Sequence, residues 1–140
     1  LLVGAANGYM AAVLAKLASA VVALESDPGL AAEAVKRLGE IGADTVAVVE
    51  GPLAKGYPRQ APYDVIVFDG AVEEIPQAIV AQLADQGRLA AIVAGGGPSR
   101  HRAGKCVVVT RVGEAFARRD AFDGGTPVLP GFSRKPAFVF

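Results

Sequence analysis

In residues 1–17, LLVGAANGYMAAVLAKL, an apolar run reaches Gly4, meets a second glycine at Gly8 and is followed by a helical pattern. Leu1–Gly4 is typical of a buried strand, and Tyr9–Ser19 has the apolar spacing of a helix. Small residues between a strand and a helix let backbone N–H groups approach a ligand at the helix N-terminus. A nucleotide-binding turn and a plain tight connection both fit this stretch.

The chain continues as an alternation of strands and helices. Asp27 has the character of an N-cap, Pro28 suits the first helical position and Gly42 ends that helix. A further helix is predicted over Pro76–Ala84. The remaining predicted strands of this part are Ala20–Glu25, Thr45–Val49, Tyr63–Asp69 and Gly87–Ala94. Such alternation implies right-handed crossovers and a parallel sheet with helices on both faces.

The C-terminal part has a different pattern. Lys105–Val112 and Ala115–Phe122 are joined at Gly113-Glu114 and predict an antiparallel hairpin, and Ala137–Phe140 predicts a short last strand. The predicted fold class is therefore α/β, a doubly wound, mostly parallel Rossmann-like sheet with an antiparallel C-terminal edge. We assign residues 1–140 to one domain. Because Leu1 already lies in a strand-like run, we expect the domain to be part of a longer protein.

Composition narrows the classes of partner. Lys+Arg and Asp+Glu both number 14, so no net charge draws the chain to nucleic acid or to an anionic membrane. One cysteine, Cys106, excludes an intrachain disulfide and fits a reducing compartment, which predicts a cytoplasmic protein. No apolar run approaches the roughly 20 residues that span a bilayer. One histidine and one cysteine give no recognisable set of metal ligands, and the sequence predicts no oligomeric state.

The loops that follow the strands define the candidate ligand site, because open parallel sheets bind ligands beyond the carboxyl ends of their strands. Glu25 ends the second strand about 20 positions beyond Gly4, the separation at which an acidic residue accepts hydrogen bonds from a ribose. Together these features favour a ligand that contains a nucleoside. The glycines do not form the dinucleotide fingerprint G-x-G-x-x-G, so a nicotinamide-dependent oxidoreductase is the weaker alternative.

Several longer runs resemble a known family. The runs VGAANGYMAAVLAKL, VVALESDPGLAAEAVKRLGEIGADTVAVVEG, APYDVIVFDGAVEEIPQAIVAQLADQGRLAAIV and LPGFSRKPAFVF look like protein-L-isoaspartate O-methyltransferase, most of all its bacterial members. The resemblance implies a class I S-adenosylmethionine-dependent methyltransferase fold. It also implies a protein-repair activity, the transfer of a methyl group from S-adenosylmethionine to the carboxylate of L-isoaspartyl residues in damaged proteins.

The resemblance implies a cofactor site at the carboxyl edge of the sheet. Its parts are a turn beneath the methionine portion, an acidic residue at the ribose, a wall at the adenine and a far wall. The turn comprises Gly4, Ala5, Ala6, Asn7, Gly8 and Tyr9, and the acidic residue at the ribose is Glu25, with Ser26 beside it. The wall at the adenine comprises Gly51, Pro52 and Leu53, and the far wall comprises Asp69 and Gly70.

Three positions depart from the family's usual pattern. Leu2 stands where an acidic residue is usual, Ala6 where a glycine is usual, and Pro52 where an aspartate that meets the adenine amino group is usual. These departures keep open an alternative from another class, a non-catalytic homologue with a degenerate cofactor site. The resemblance places the substrate loop and a catalytic hydroxyl in an N-terminal helical region, so the sequence predicts no catalytic residue within this chain.

Overall fold

The computed structural model describes residues 1–95 and 103–133. Its elements in chain order are β1 (Leu2–Val3), α1 (Tyr9–Ala15), β2 (Val21–Glu25), α2 (Pro28–Glu40), β3 (Val46–Glu50), β4 (Tyr63–Val72), α3 (Gln77–Val80), β5 (Leu83–Val93), β6 (Gly104–Val112) and β7 (Ala115–Gly124). Two 3₁₀ turns, Leu53–Lys55 and Pro58–Gln60, connect β3 to β4. Within the described ranges, no helix has the length and apolar character needed to cross a membrane.

The strands form one seven-stranded sheet in the order β3-β2-β1-β4-β5-β6-β7. Strands β1 to β5 are parallel, and β6 and β7 are antiparallel to their neighbours. This arrangement confirms the predicted fold class. Val3 lies beside Leu24 of β2 and Phe68 of β4, and Glu25 lies beside Glu50 of β3. The carboxyl ends of β1 to β4 therefore share one edge, and the strand order reverses between β1 and β4.

Each face of the sheet has its own hydrophobic core, as expected for a doubly wound fold. On one face, α1 and α2 pack through small side chains such as Ala11 and Ala34, which let both helices approach the sheet closely. On the other face, larger side chains such as Ile66, Ile79 and Leu89 pack with α3 and the 3₁₀ turns. The buried apolar area on both faces is the main source of stability for such a domain.

Helix α2 follows its predicted end signals. Asp27 Oδ1 accepts hydrogen bonds from the N–H groups of Gly29 at 2.8 Å and Leu30 at 3.1 Å, and Pro28 takes the first helical position. The helix ends at Glu40, just before Gly42 with a φ of +70°. The side chain of Asp27 thus satisfies two of the donors that a helix N-terminus leaves unpaired.

Two predicted helices are shorter than their apolar spacing suggested. Helix α1 ends at Ala15 rather than Ser19, and the chain tightens into turns, with the Leu17 N–H donating to Leu14 O at 2.9 Å. Helix α3 covers Gln77–Val80 rather than Pro76–Ala84, and β5 begins at Leu83 rather than Gly87. Pairing of Leu83 with Tyr63 of β4 determines that boundary, because a long-range strand pair outweighs the local helical spacing.

The antiparallel hairpin is confirmed, with β7 extending to Gly124. Beyond it the chain returns to the middle of the sheet. Residues 127–132, here called the return segment, lie along the end of β4: the Ala71 N–H donates to Pro127 O at 2.9 Å and the Leu129 N–H to Ala71 O at 2.8 Å. Phe132 is buried and packs edge-on against Phe68, with ring centroids 5.5 Å apart. The predicted strand Ala137–Phe140 lies outside the described residues.

Candidate cofactor site

Glu25 joins three loops at the carboxyl edge. Its Oε2 accepts a hydrogen bond from the Ala6 N–H at 2.7 Å, and its Oε1 accepts from Ser26 at 2.8 Å and Asp27 at 3.0 Å. Its backbone carbonyl accepts from the Gly51 N–H at 3.1 Å. The residue is only 5% exposed. The turn after β1, the start of α2 and the turn after β3 are therefore tied to one residue.

The bonding of Glu25 limits what it can offer a ligand. An ionised carboxylate has about four acceptor positions, and backbone N–H groups use three of them here. Counting donors in residues 1–95 and 103–133, one position is left for an outside donor such as a ribose hydroxyl. The sequence predicted hydrogen bonds from a ribose to Glu25, and this arrangement accommodates one such bond without release of a backbone hydrogen bond.

The turn after β1 is held against the end of β2. The N–H groups of Gly4 and Ala5 both donate to Leu24 O at 2.9 Å. Ala6 follows with a φ of +45°, in the left-handed region that disfavours side chains other than glycine. This strain is the structural counterpart of the missing family glycine at that position.

The rest of that turn serves α1 and α2. Asn7 Oδ1 accepts from the Tyr9 N–H at 3.3 Å at the start of α1. The Cα of Gly8 faces α2, where an added Cβ would lie 3.3 Å from atoms of Ala34 and Leu38. The Tyr9 side chain is 75% exposed. The glycine at position 8 thus permits packing between the turn and α2, a role that the sequence did not distinguish from contact with a ligand.

The turn after β3 lies next to Glu25. Pro52 has a φ of −65° and precedes the 3₁₀ turn, its ring is exposed, and the Leu53 side chain is 3% exposed. Leu53 is therefore set in the core, and Pro52 faces outward without a side-chain hydrogen-bond acceptor. A ligand that bears an amino group meets no carboxylate at position 52.

Gln82 supports this turn and was not singled out from the sequence. Its Nε2 donates to Lys55 O at 2.9 Å and Ala78 O at 3.0 Å, and its Oε1 accepts from the Tyr57 N–H at 3.0 Å. Gly56, with a φ of +60°, passes close to the side chain of Gln82, since a Cβ added to this glycine would lie 2.7 Å from the Gln82 side-chain amide. The sequence signal that could have identified Gln82 is its position as a polar residue within an apolar run.

Asp69 and Gly70 lie where β4 leaves its regular pairing with β5, between the paired residues Val67 and Ala71. Such irregularities often redirect side chains near functional sites. Asp69 is exposed as a whole, yet partial burial raises the pKa of its carboxyl above the ordinary value. Gly70 is buried beneath Leu129 of the return segment. Leu129 is a second residue of this edge that sequence reasoning missed.

Leu2 is the third position that departs from the usual pattern of the family. Its side chain is fully buried in the cluster that contains Ala11, Ala34 and Leu38. An acidic side chain in these surroundings would lose its hydration without an ionic partner in that cluster. Leu2 therefore belongs to the core. No group of His, Cys, Asp and Glu side chains among the described residues has the arrangement of a metal site.

Comparison with solved structures identifies the fold. One structure, a protein-L-isoaspartate O-methyltransferase, aligns with a TM-score of 0.82 at 22% identity over 93% of this chain and 41% of that chain. Another, a putative protein of the same kind from Plasmodium falciparum in complex with S-adenosyl-L-homocysteine, aligns with a TM-score of 0.72 at 15% identity over 91% of this chain and 63% of that chain. At these identities the likeness establishes the fold, which is that of Rossmann-like methyltransferases.

Sequence comparison establishes the family. The model of the family Protein-L-isoaspartate(D-aspartate) O-methyltransferase (PCMT) matches residues 1–106, and the chain belongs to this family. A Methanoregula boonei protein-L-isoaspartate O-methyltransferase is 48% identical over 93 residues, 66% of this chain and 43% of the relative. One from Halorhodospira halophila is 37% identical over 130 residues, 92% of this chain and 57% of the relative. The chain thus spans about half the length of these relatives or less.

Proposed function

We propose that this chain is the cofactor-binding part of an S-adenosylmethionine-dependent protein-L-isoaspartate O-methyltransferase. Its substrates would be damaged proteins with L-isoaspartyl residues, and its place the cytoplasm. Family membership supports the reaction. The observation that carries the proposal is the buried Glu25. Its carboxylate bonds to the loops after β1 and β2, its backbone carbonyl bonds to the turn after β3, and donors among the described residues occupy three of about four acceptor positions of the carboxylate.

The strand order predicts how the cofactor lies. Adenine would rest at Gly51–Leu53 beyond β3, and the ribose would donate to Glu25 beyond β2. The methionine portion would cross the turn Gly4–Tyr9 beyond β1 and reach Asp69–Gly70 beyond β4. This order follows the sequence of strands along the edge, β3-β2-β1-β4. The switch between β1 and β4 is where ligands of open α/β sheets bind.

The proposed methyl transfer depends mainly on how the two reacting groups are positioned. S-adenosylmethionine supplies an electrophilic methyl group when it is bound, and the isoaspartyl carboxylate is already a nucleophile. The residues of this chain would hold the ribose through Glu25 and limit water on the apolar side near Leu53. Alignment of the reacting groups accounts for a large part of the rate in such transfers. We assign no catalytic residue among the described residues.

Three observations favour a second function, a non-catalytic member of the family. Ala6 adopts a φ of +45°, Pro52 offers no acceptor and Leu2 is sealed in the core. Each change removes a feature that the family usually has at the cofactor site. Their sum predicts weaker cofactor binding than in typical members.

Calorimetry of the complete protein with S-adenosylhomocysteine separates these functions. Micromolar affinity, followed by methylation of an isoaspartyl peptide but not of its aspartyl counterpart, would support the enzyme. Absence of heat at millimolar ligand would favour the non-catalytic homologue. Binding of NADH in place of S-adenosylhomocysteine would favour the oxidoreductase alternative.

A further inference from the structure

The turn after β3 is hydrogen-bonded at both of its ends. At its start, the Gly51 N–H donates to the Glu25 backbone carbonyl at 3.1 Å. At its end, the Gln82 side chain donates through Nε2 to Lys55 O at 2.9 Å and accepts through Oε1 from the Tyr57 N–H at 3.0 Å. Glu25 therefore fixes where the turn begins, and Gln82 fixes where it ends.

The Gln82 amide is itself held in place. The residue lies between α3 and β5, where its backbone N–H donates to Ile79 O at 3.0 Å and its backbone carbonyl accepts from the Tyr63 N–H of β4 at 2.8 Å. Its Nε2 also donates to Ala78 O at 3.0 Å, and the residue is 6% exposed. Loss of a hydrogen bond by a buried polar group costs free energy, because water does not replace the partner. The amide therefore holds the end of the turn in one favoured arrangement.

Hydrogen bonds within the turn connect its end to the residues proposed to lie at the adenine. The Lys55 N–H donates to Pro52 O at 3.2 Å, and the Gly56 N–H donates to Leu53 O at 3.1 Å. Gly56 also passes against the Gln82 amide, so closely that an added Cβ would lie 2.7 Å from it. A shift of the end of the turn away from Gln82 would therefore move Pro52 and Leu53 or break these bonds.

We propose that Gln82 is a positioning residue for the nucleoside part of the ligand, which it affects through the turn after β3. This role rests on the proposed function, which places adenine at Gly51–Leu53. Without the Gln82 amide the turn would spend part of its time in other conformations, and the apparent affinity would fall with the fraction that remains competent to bind. A fraction of about one-tenth makes binding about tenfold weaker. The Gly51 hydrogen bond and the buried Leu53 side chain remain, so binding is weakened rather than abolished.

Calorimetry of the complete protein with adenosine and with S-adenosylhomocysteine tests this role. Gln82→Leu should weaken the binding of both ligands by the same factor, about tenfold, because both contain the adenine that the turn would contact. Gln77→Leu makes the same substitution at an exposed position of α3 and should leave both affinities at the parent values. All variants are compared below their unfolding transitions, so that a loss of stability alone does not change the amount of folded protein.

Gly56→Ala tests the same contact from the side of the turn. The added methyl group would meet the Gln82 amide and should weaken both ligands by a similar factor. Gly113→Ala is the matched control, because Gly113 has the same φ of +60° but an added Cβ there meets no other described residue within 4 Å, its chain neighbours aside. This control should leave both affinities unchanged, since it strains the backbone without displacing the turn after β3.

Each result supports or overturns the role of Gln82. If the parent binds both ligands and Gln82→Leu binds them equally well, Gln82 does not position the ligand. A loss for S-adenosylhomocysteine without one for adenosine would also overturn the proposal, because the affected contact would then lie outside the nucleoside. Equal losses in Gly56→Ala and Gly113→Ala would overturn it as a general effect of replacing glycine.

The failure of the proposed function has a different result. If the parent binds neither ligand, the proposed function fails and this inference with it. Should Gln82→Leu not fold, the comparison of Gly56→Ala with Gly113→Ala decides, and equal affinities in those two variants overturn the proposal.

Discussion

The two sides of the candidate site are held together by different forces. On the β2–β3 side, buried polar side chains hold the turns: Glu25 accepts hydrogen bonds from backbone N–H groups, and Gln82 both accepts from and donates to the backbone. On the β4 side, the return segment adds backbone bonds and apolar packing through Leu129 and Phe132. The first side depends on directional hydrogen bonds to buried polar groups, whereas the second depends on backbone pairing and apolar packing.

The largest effect is expected at Glu25. Glu25→Ala leaves three backbone N–H groups without their acceptor and should lower the free energy of unfolding by about 2–4 kcal/mol and abolish S-adenosylhomocysteine binding. Glu25→Gln should retain part of both. Chemical denaturation and calorimetry measure the two quantities.

Glu50→Ala is the matched control for that prediction. Glu50 ends β3 directly beside Glu25 but is exposed, so its loss should change the free energy of unfolding by less than about 0.5 kcal/mol. Equal effects at the two positions would remove the distinction between a buried anchor and an exposed strand end.

Gln82→Leu should have the next largest effect on the free energy of unfolding. It removes the partners of Lys55 O, Ala78 O and the Tyr57 N–H and should destabilise the fold by about 2–3 kcal/mol. Gln77→Leu, at an exposed position of α3, is the control and should be nearly neutral. If both variants unfold at the parent's denaturant midpoint, Gln82 does not hold the turn.

Pro52→Asp tests whether the polar side of the site can be improved. A carboxylate at this position can accept from the adenine amino group, and a hydrogen bond to a charged group contributes about 1.5–3 kcal/mol, or about tenfold or more in affinity. Calorimetry with S-adenosylhomocysteine on the complete protein measures the gain. An unchanged affinity in a parent that binds would show that adenine lies elsewhere.

Ala6→Gly should have a smaller effect on the free energy of unfolding, and of opposite sign to the effects of Glu25→Ala and Gln82→Leu. Relief of the left-handed conformation should stabilise the protein by about 1 kcal/mol. Ala32→Gly makes the same substitution at an exposed position of α2, and there it should destabilise by about 1 kcal/mol. Thermal unfolding of the two variants distinguishes backbone strain from a general effect of glycine.

The smallest expected effect concerns Asp69. Burial raises the pKa of its carboxyl in the folded protein, so its contribution to stability is present below the ordinary value of 3.8 and is lost as pH rises through the raised pKa. The free energy of unfolding of Asp69→Asn, measured relative to that of the parent, should therefore be higher at pH 7 than at pH 3 by about a few tenths of a kcal/mol. Denaturation curves that differ by the same amount at both pH values would contradict this.

The sequence predicted the elements whose signals are local and strong. Asp27 and Pro28 placed the start of α2, and the loops at Gly4, Glu25, Gly51 and Asp69 were correctly grouped at one edge. The predictions were wrong at the boundary of α3 and β5, where Leu83 fits helical spacing as well as a strand and only pairing with Tyr63 decides.

The tertiary contacts of the site could not be predicted in the same way. No periodic pattern marks Leu129 as a neighbour of Gly4 and Gly70, because that contact depends on a return across the sheet. The type and place of Glu25 were likewise predicted, but its three backbone donors were not, because they depend on how the loops after β1 and β2 fold around the carboxylate.

A crystal structure of the complete protein with S-adenosylhomocysteine tests the central claim, that Glu25 ties the strand-end loops together and receives the ribose. We expect a ribose hydroxyl within about 2.7 Å of a Glu25 carboxylate oxygen, with the Ala6 N–H still donating to Glu25 Oε2. A ligand bound away from the ends of β1 to β3, or a ribose that makes no contact with Glu25, would contradict it.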